Sequence, residues 1–147
     1  MKRTQKAFKL IRSKGFTLIE LLVVVSLIGI LATLVIANMN SARERARDAQ
    51  RKSDLRNIQT GLRLYYNDNG GYPIKSEIDA AWGLEWADNG VTYMNILPND
   101  PLEGQVYTYT YTDSETYTLK ACLENKSDDK GVADGTCSSG YKYEVRP

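Results

Sequence analysis

One ionisable side chain interrupts an otherwise apolar run near the start of the chain. From Phe16 to Ala37 the only charged residue is Glu20. A carboxylate inside an apolar stretch of membrane length costs on the order of 3 kcal/mol unless it is paired or protonated, so its presence predicts a functional role. The segment holds no cation that could pair with it. The alternative is that Glu20 lies at headgroup depth and is solvated.

The two cysteines are a second candidate for chemistry. Cys122 and Cys137 enclose a loop of 16 residues, counting both ends. A disulfide that closes a loop of about 15 residues stabilises a fold by about 3 kcal/mol in the chain-entropy model. We expect this disulfide if the domain is exported. The alternative is a pair of free thiols.

Carboxylates are frequent in the loop between the cysteines. Glu124, Asp128, Asp129 and Asp134 offer the oxygen ligands that calcium prefers. Their spacing does not match the EF-hand pattern, however, and acidic surface turns are common. We therefore predict no metal site and no cofactor, and calcium binding by this loop is the alternative.

Catalytic motifs are absent from the sequence. The chain contains no histidine, which excludes Ser-His triads and His-ligated zinc. It also lacks a Gly-x-Ser-x-Gly elbow, a P-loop and a Gly-x-Gly-x-x-Gly fingerprint. The sequence therefore predicts a protein that is not an enzyme.

The element that positions Glu20 is a helix long enough to cross a membrane. The 22 residues from Phe16 to Ala37 make a helix of about 33 Å, against about 30 Å for a bilayer core. Six basic residues precede it, which favours a cytoplasmic N-terminus and a head outside the cytoplasm. A secretory signal peptide is the rival interpretation, but the run is long for one and no good cleavage site follows it.

The residues Gly15-Phe16-Thr17-Leu18-Ile19-Glu20, after a short basic leader and before an apolar helix, resemble the class III signal of type IV pilins and type II secretion pseudopilins. The resemblance implies that a prepilin peptidase cuts between Gly15 and Phe16 and that Phe16 is then N-methylated. It also implies that Glu20 neutralises the N-terminal amine of a neighbouring subunit. A homopolymer, the peptidase, an assembly platform and, before assembly, membrane lipid are the implied partners.

The helix is expected to continue beyond the membrane. No proline interrupts the chain between Phe16 and Gly71, and apolar residues recur every three or four positions. The stretch Asn69-Gly70-Gly71 followed by Pro73 predicts the helix end near Asn69. It is also similar to the sequence that ends this helix in major pseudopilins. The turn Leu97-Pro98-Asn99-Asp100-Pro101 resembles another stretch of that family.

The rest of the chain predicts a small β-rich head. Residues 106–112, 116–123 and 141–145 have strand patterns, and a short helix capped by Ser76 is expected before them. The fold class is therefore α+β, a long helix packed on an antiparallel sheet of about three strands, as in pilins. The predicted regions are a removed leader at 1–15, a transmembrane helix at 16–37, its amphipathic continuation at 38–69 and the head at 70–147.

The charges are distributed unevenly along the chain. Residues 38–66 carry a net charge of +4 and residues 67–147 a net charge of −8. A basic stem and an acidic head suit packing between staggered copies of one chain, and a solvated helix face is the alternative. The acidic head disfavours nucleic-acid binding, because its negative charge repels phosphates.

The function expected from these features is structural. The chain is predicted to be a membrane-inserted prepilin that becomes a subunit of a type IV pilus or a similar extracellular or periplasmic filament. A major pseudopilin of type II secretion is the alternative within the family. The alternatives of other classes are a membrane-tethered binding module and a DNA-uptake pilus subunit.

Overall fold

The computed structural model describes residues 15–147, apart from the side chain at position 37. The predicted leader, except for Gly15, lies outside the described residues. One long helix, α1 (Leu18–Asn69, 52 residues), begins the described chain. The chain divides into two units, with the boundary between Asn38 and Met39.

The C-terminal end of α1 agrees with the prediction from its capping residues. The helix ends at Asn69, and Gly70 follows with a φ of +71°, a left-handed conformation that glycine adopts without strain. The Gly70 amide donates to the carbonyl of Tyr66 at 2.8 Å. Pro73 then prevents the helix from continuing.

Two small elements follow α1. Helix α2 (Lys75–Ala81) is preceded by Ile74, so the predicted Ser76 cap is wrong. The Glu77 carboxylate accepts the Ile74 amide instead, at 3.2 Å. A hairpin, β1 (Trp86–Asp88) and β2 (Val91–Met94), turns at Asn89 and Gly90.

The hairpin is an element that the sequence analysis missed. Asn89 and Gly90 have φ values of +48° and +81°, as in the tight turn for which Asn-Gly is the strongest short-range signal. That signal is present in the sequence. The flanking strands have only three and four residues, which is too short for a clear alternating pattern.

The main sheet has four antiparallel strands in the order β3-β4-β6-β5. They are β3 (Thr108–Asp113), β4 (Thr116–Cys122), β5 (Val132–Ala133) and β6 (Tyr141–Val145). The three longer strands confirm the predicted sheet, and β5 is a short addition at its edge.

The core lies between the second half of α1 and the sheet. Alternate residues of β4, namely Tyr117, Leu119 and Ala121, are buried, as expected for a sheet with one wet face. They join a single cluster with the α1 residues Leu55, Ile58, Leu62 and Tyr65. Trp86 stacks on Tyr65 with ring centroids 5.5 Å apart. The α+β prediction is therefore confirmed.

Candidate functional site

The first turn of α1 is closed by a reciprocal pair of side chains. The Glu20 amide donates to Thr17 Oγ1 at 3.2 Å, and Glu20 Oε2 accepts the Thr17 amide at 3.3 Å and the Thr17 hydroxyl at 3.2 Å. Together these bonds form a capping box, in which two otherwise unpaired amides are satisfied. Glu20 is thereby the third residue of the helix and lies at its positive end.

This arrangement adds local partners for Glu20 that the sequence analysis overlooked. The signal was a Thr-x-x-Glu pattern directly before an apolar run, which is typical of a capping box. Thr17 supplies hydrogen-bond donors but no positive charge. The Glu20 carboxylate is thus bonded to Thr17, the residue that follows Phe16.

The Gly15–Phe16 peptide bond precedes the helix in irregular, exposed chain. Phe16 is 86% exposed. A Cβ added to Gly15 would have no atom within 4 Å. The bond is thus sterically open at the position where the resemblance places the cleavage.

The apolar part of α1 exposes large hydrophobic side chains around its whole circumference. No part of the most apolar stretch of the helix is buried. By length and composition the helix could cross a membrane. A helix that is apolar all round is stable only when lipid or protein covers it.

The few polar side chains of this segment bond to the helix itself. Ser26 Oγ donates to the carbonyl of Leu22 at 2.8 Å, and Thr33 Oγ1 donates to that of Ile30 at 2.7 Å. Such internal bonds satisfy hydroxyls where no water is present. Together with the Glu20–Thr17 bonds, they leave the segment suited to an apolar environment.

In the second unit, a buried arginine lies at the centre of an ion network. The Arg51 side chain is 0% exposed. It bonds to Asp48 at 2.7 Å, to Glu124 at 2.7 Å and to Asp100 through two bonds of 2.8 Å. Burial alone would lower the pKa of Arg51, but the hydrogen bonds with these three carboxylates outweigh it and raise that pKa.

The network joins three separate parts of the chain. Asp48 and Arg51 belong to α1, Asp100 belongs to the proline-flanked turn, and Glu124 follows β4. Asp48 also accepts the backbone amides of Glu124, at 3.0 Å, and Asn125, at 2.8 Å. The stem of the helix thereby holds both the turn and the start of the C-terminal loop.

Sequence reasoning missed this network. In the structure Asp48 bonds to Arg51, and Lys52 bonds to Asp128. The available signal was spacing: Asp48 and Arg51 continue, at intervals of three and four, the buried stripe that begins at Leu55. Charged residues on a buried stripe need partners from elsewhere in the fold.

The four carboxylates considered for calcium each lie in a different environment. Glu124 bonds to Arg47 and Arg51, Asp128 to Lys52, and Asp134 to Lys120 and Lys142, whereas Asp129 is exposed. The bond with Arg47 lowers the pKa of Glu124 despite partial burial. Within residues 15–147, no three acidic or thiol side chains gather as a metal-binding group.

Cys122 and Cys137, the predicted pair, form a disulfide with an S–S distance of 2.03 Å. The bond links the end of β4 to the loop before β6. It therefore closes the same loop that Asp48, Arg47 and Lys52 attach to the helix.

The chain matches a family model and is similar to several known proteins. The model of the prokaryotic N-terminal methylation motif matches residues 10–36, which include Gly15, Phe16 and Glu20. The chain is 35% identical to the type II secretion system core protein G of Pseudomonas aeruginosa over 107 residues, covering 67% of this chain and 73% of the relative. The protein of the same name in Aeromonas hydrophila is 35% identical over 99 residues, covering 61% and 68%.

A third relative is named as a pilus component and not as a secretion protein. The type IV wide pilus major component PilA4 of Thermus thermophilus is 37% identical over 81 residues, covering 55% of this chain and 62% of the relative. No solved structure matches the chain.

Proposed function

The chain belongs to the family of the type II secretion system core protein G, and we propose that it is the precursor of a structural filament subunit. The precursor inserts into the cytoplasmic membrane, is cleaved between Gly15 and Phe16, and polymerises through the apolar part of α1. The role is structural and includes no catalytic step and no cofactor.

The observation that carries this proposal is the helix whose apolar side chains are exposed on every side. Leu18 and Leu34, sixteen residues apart, are 81% and 60% exposed. Before assembly, lipid covers these side chains. In a filament, the same side chains pack against copies of the helix, so one segment serves two successive environments.

In the filament, Glu20 makes the packing between neighbouring helices specific. Lipid tails are as apolar as the helix, so hydrophobicity alone drives little association within the membrane. Cleavage would create an amine at Phe16, and Glu20 would pair with that amine in the neighbouring copy. A buried charge pair that loses one partner costs about 2 to 5 kcal/mol, which is enough to select the correct register.

The proposed location follows from the same segment. The basic residues of the leader keep the N-terminus in the cytoplasm, and the head, residues 70–147, lies outside it. A prepilin peptidase and an assembly platform are then the partners of the membrane stage. The assembled subunit belongs to a filament outside the cytoplasm.

A secretion pseudopilus is the second candidate for that filament. The names of the Pseudomonas and Aeromonas relatives favour it, whereas the name of the Thermus relative favours a pilus. The two candidates need the same helix, cleavage and charge pair. A membrane-tethered binding module or a DNA-uptake subunit is less well supported, since the acidic head disfavours nucleic acid.

The test is the mass of the N-terminal peptide of protein from its native host. We expect residues 1–15 to be absent and Phe16 to be methylated. An intact N-terminus, or cleavage at another bond, would contradict the proposal. A tethered binding module predicts one of these two results and no homopolymer.

A further inference from the structure

A groove lies between the stem of α1 and the loop that follows β4. Its volume is about 410 Å³. Lys52 and Arg56 from the helix and Lys130 from the loop are its charged walls, with Asp129 as the single carboxylate of the lining. Ala49, Ser53 and Asn57 form its floor along one face of the helix.

Two of these cations are available to a partner. Arg56 and Lys130 are exposed and, within the described part of the chain, neither forms an ion pair. Among the described residues Arg56 donates only to the Tyr143 hydroxyl, at 3.3 Å, which leaves most of its five donors without a described acceptor. Lys52 already bonds to Asp128 at 2.5 Å. The groove is therefore suited to an added carboxylate.

Exposed carboxylates of the required kind occur at the opposite end of the same unit. The turn between β3 and β4 carries Asp113 and Glu115, both exposed. Neither has an ion-pair partner among residues 15–147, and their bonds are to the turn itself and to the Tyr66 hydroxyl. The Tyr72 amide donates to the carbonyl of Ser114 at 2.8 Å, which fastens the turn beside the end of α1.

The groove and the acidic turn are separated by a defined distance along α1. Ser53 lies in the groove and Tyr66 contacts the acidic turn. Thirteen residues of helix separate them, which corresponds to about 20 Å. A copy displaced by about that distance along the helix would bring its acidic turn level with the groove of its neighbour.

We propose that the groove receives the Asp113–Glu115 turn of a second copy of this chain. The two surfaces are different patches of one molecule, so the contact is heterologous and repeats without closing, as a filament requires. The inference rests on the proposed function and adds to it a polar contact between heads, separate from the packing of the N-terminal helices.

Cross-linking in assembled filaments tests the contact. Ser53→Cys and Ser114→Cys are nearly isosteric changes at exposed positions of the groove and the turn. We expect filaments of the double variant to give a ladder of multimers with a short bis-maleimide, and each single variant to give monomer. Ser53→Cys combined with Ser76→Cys, at an exposed serine of α2, is the matched control and should give monomer.

A charge exchange provides an independent readout. Lys130→Glu and Glu115→Lys should each reduce the amount of filament at least fivefold, and the double variant should recover most of it. Lys75→Glu, at an exposed cation on α2, should change the amount less than twofold.

The outcomes separate the two proposals. Filaments that form normally but give no ladder, or single charge variants that assemble like the parent, overturn the groove contact and leave the proposed function standing. Absence of any filament from the unaltered chain overturns both. A ladder from the control pair equal to that from the Ser53–Ser114 pair also overturns the contact.

Discussion

Arg51 and Asp100 form a buried two-bond pair, with Nε and Nη2 of the guanidinium each 2.8 Å from one carboxylate oxygen. The two residues are 49 positions apart, and their side chains are 0% and 1% exposed. The pair attaches the turn at Pro98–Pro101 to the stem of α1. Its contribution to the fold can therefore be measured separately from the apolar core.

The first prediction is that Asp100→Ala destabilises the protein strongly. The change leaves the Arg51 charge buried with fewer partners, which costs about 3 to 5 kcal/mol. Urea denaturation of the full chain in detergent measures the loss. Lys75→Ala is the control, because its ion pair with Asp79 is largely exposed and should cost less than about 1 kcal/mol. Equal losses from both variants would contradict the role given to the buried pair.

The second prediction concerns pH. The pKa values of Glu124 and Asp128 are lowered in the folded state, Glu124 chiefly by its bond with Arg47 and Asp128 by its bond with Lys52 against the effect of burial. Their stabilisation is therefore present above the unfolded pKa values of about 4, and is lost as the pH falls through the folded values.

Thermal unfolding followed from pH 7 to pH 2 measures this effect. We expect stability to decrease below about pH 4, and the decrease to be smaller in Glu124→Gln, which has no carboxylate to protonate. Asp79→Asn, at an exposed residue of α2, should leave the profile unchanged. A Glu124→Gln profile that parallels the parent at every pH would show that this carboxylate is not part of the acid response.

The third prediction is that the disulfide stabilises the C-terminal loop. Replacing Cys122 and Cys137 together by serine should lower the free energy of unfolding by about 3 kcal/mol, because the unfolded chain gains the freedom of the closed loop. Reduction of the parent should give a similar loss. The double variant is the control for the reductant, since its stability should not respond to dithiothreitol.

The fourth prediction distinguishes two roles of the Glu20 side chain: the cap that it forms with Thr17 and the proposed ion pair with the N-terminal amine of a neighbouring copy. Glu20→Gln can still complete the capping box with Thr17, but it cannot pair with an amine. We expect both Glu20→Gln and Glu20→Ala to insert into the membrane and to reduce filament incorporation by about 30-fold or more, which corresponds to a loss of at least about 2 kcal/mol.

Thr17→Val is the matched control for the cap. Removal of the hydroxyl costs about 1 kcal/mol of helix stability, so its effect on incorporation should be clearly smaller. If Glu20→Gln assembles like the parent, the carboxylate acts only as a cap and the proposed ion pair is wrong.

The fifth prediction addresses calcium. Glu124, Asp128 and Asp134 each bond to lysine or arginine, so a calcium ion would have to displace these cations before it could bind. We expect the melting temperature of the full chain to be unchanged between millimolar calcium and a chelator. A rise of several degrees with calcium would show that the loop rearranges around the ion.

The α1 helix and the main sheet could be predicted because their signals are local. The spacing of Leu55, Ile58 and Leu62, the glycines after Asn69 and the alternation in β4 each act over a few residues. The hairpin at Asn89–Gly90 carried a local signal too, but its strands were too short to support it. The first residue of α2 was misassigned because Glu77 reaches back to the Ile74 amide, a bond that makes a serine cap unnecessary.

The N-terminal segment was determined by the sequence itself. Its length, its hydrophobicity on all sides and its lone carboxylate follow from residue types and spacing, and the Thr17–Glu20 cap is readable in the same way. The ion network around Arg51 and the groove beside Lys130 were decided only by the tertiary structure. Apart from Asp48 and Arg51, the bonded partners of the network lie 49 to 77 positions apart, and only folding shows which of the chain's 18 acidic side chains meets each cation. Electrostatic attraction is not specific to a residue pair until packing has fixed the distances.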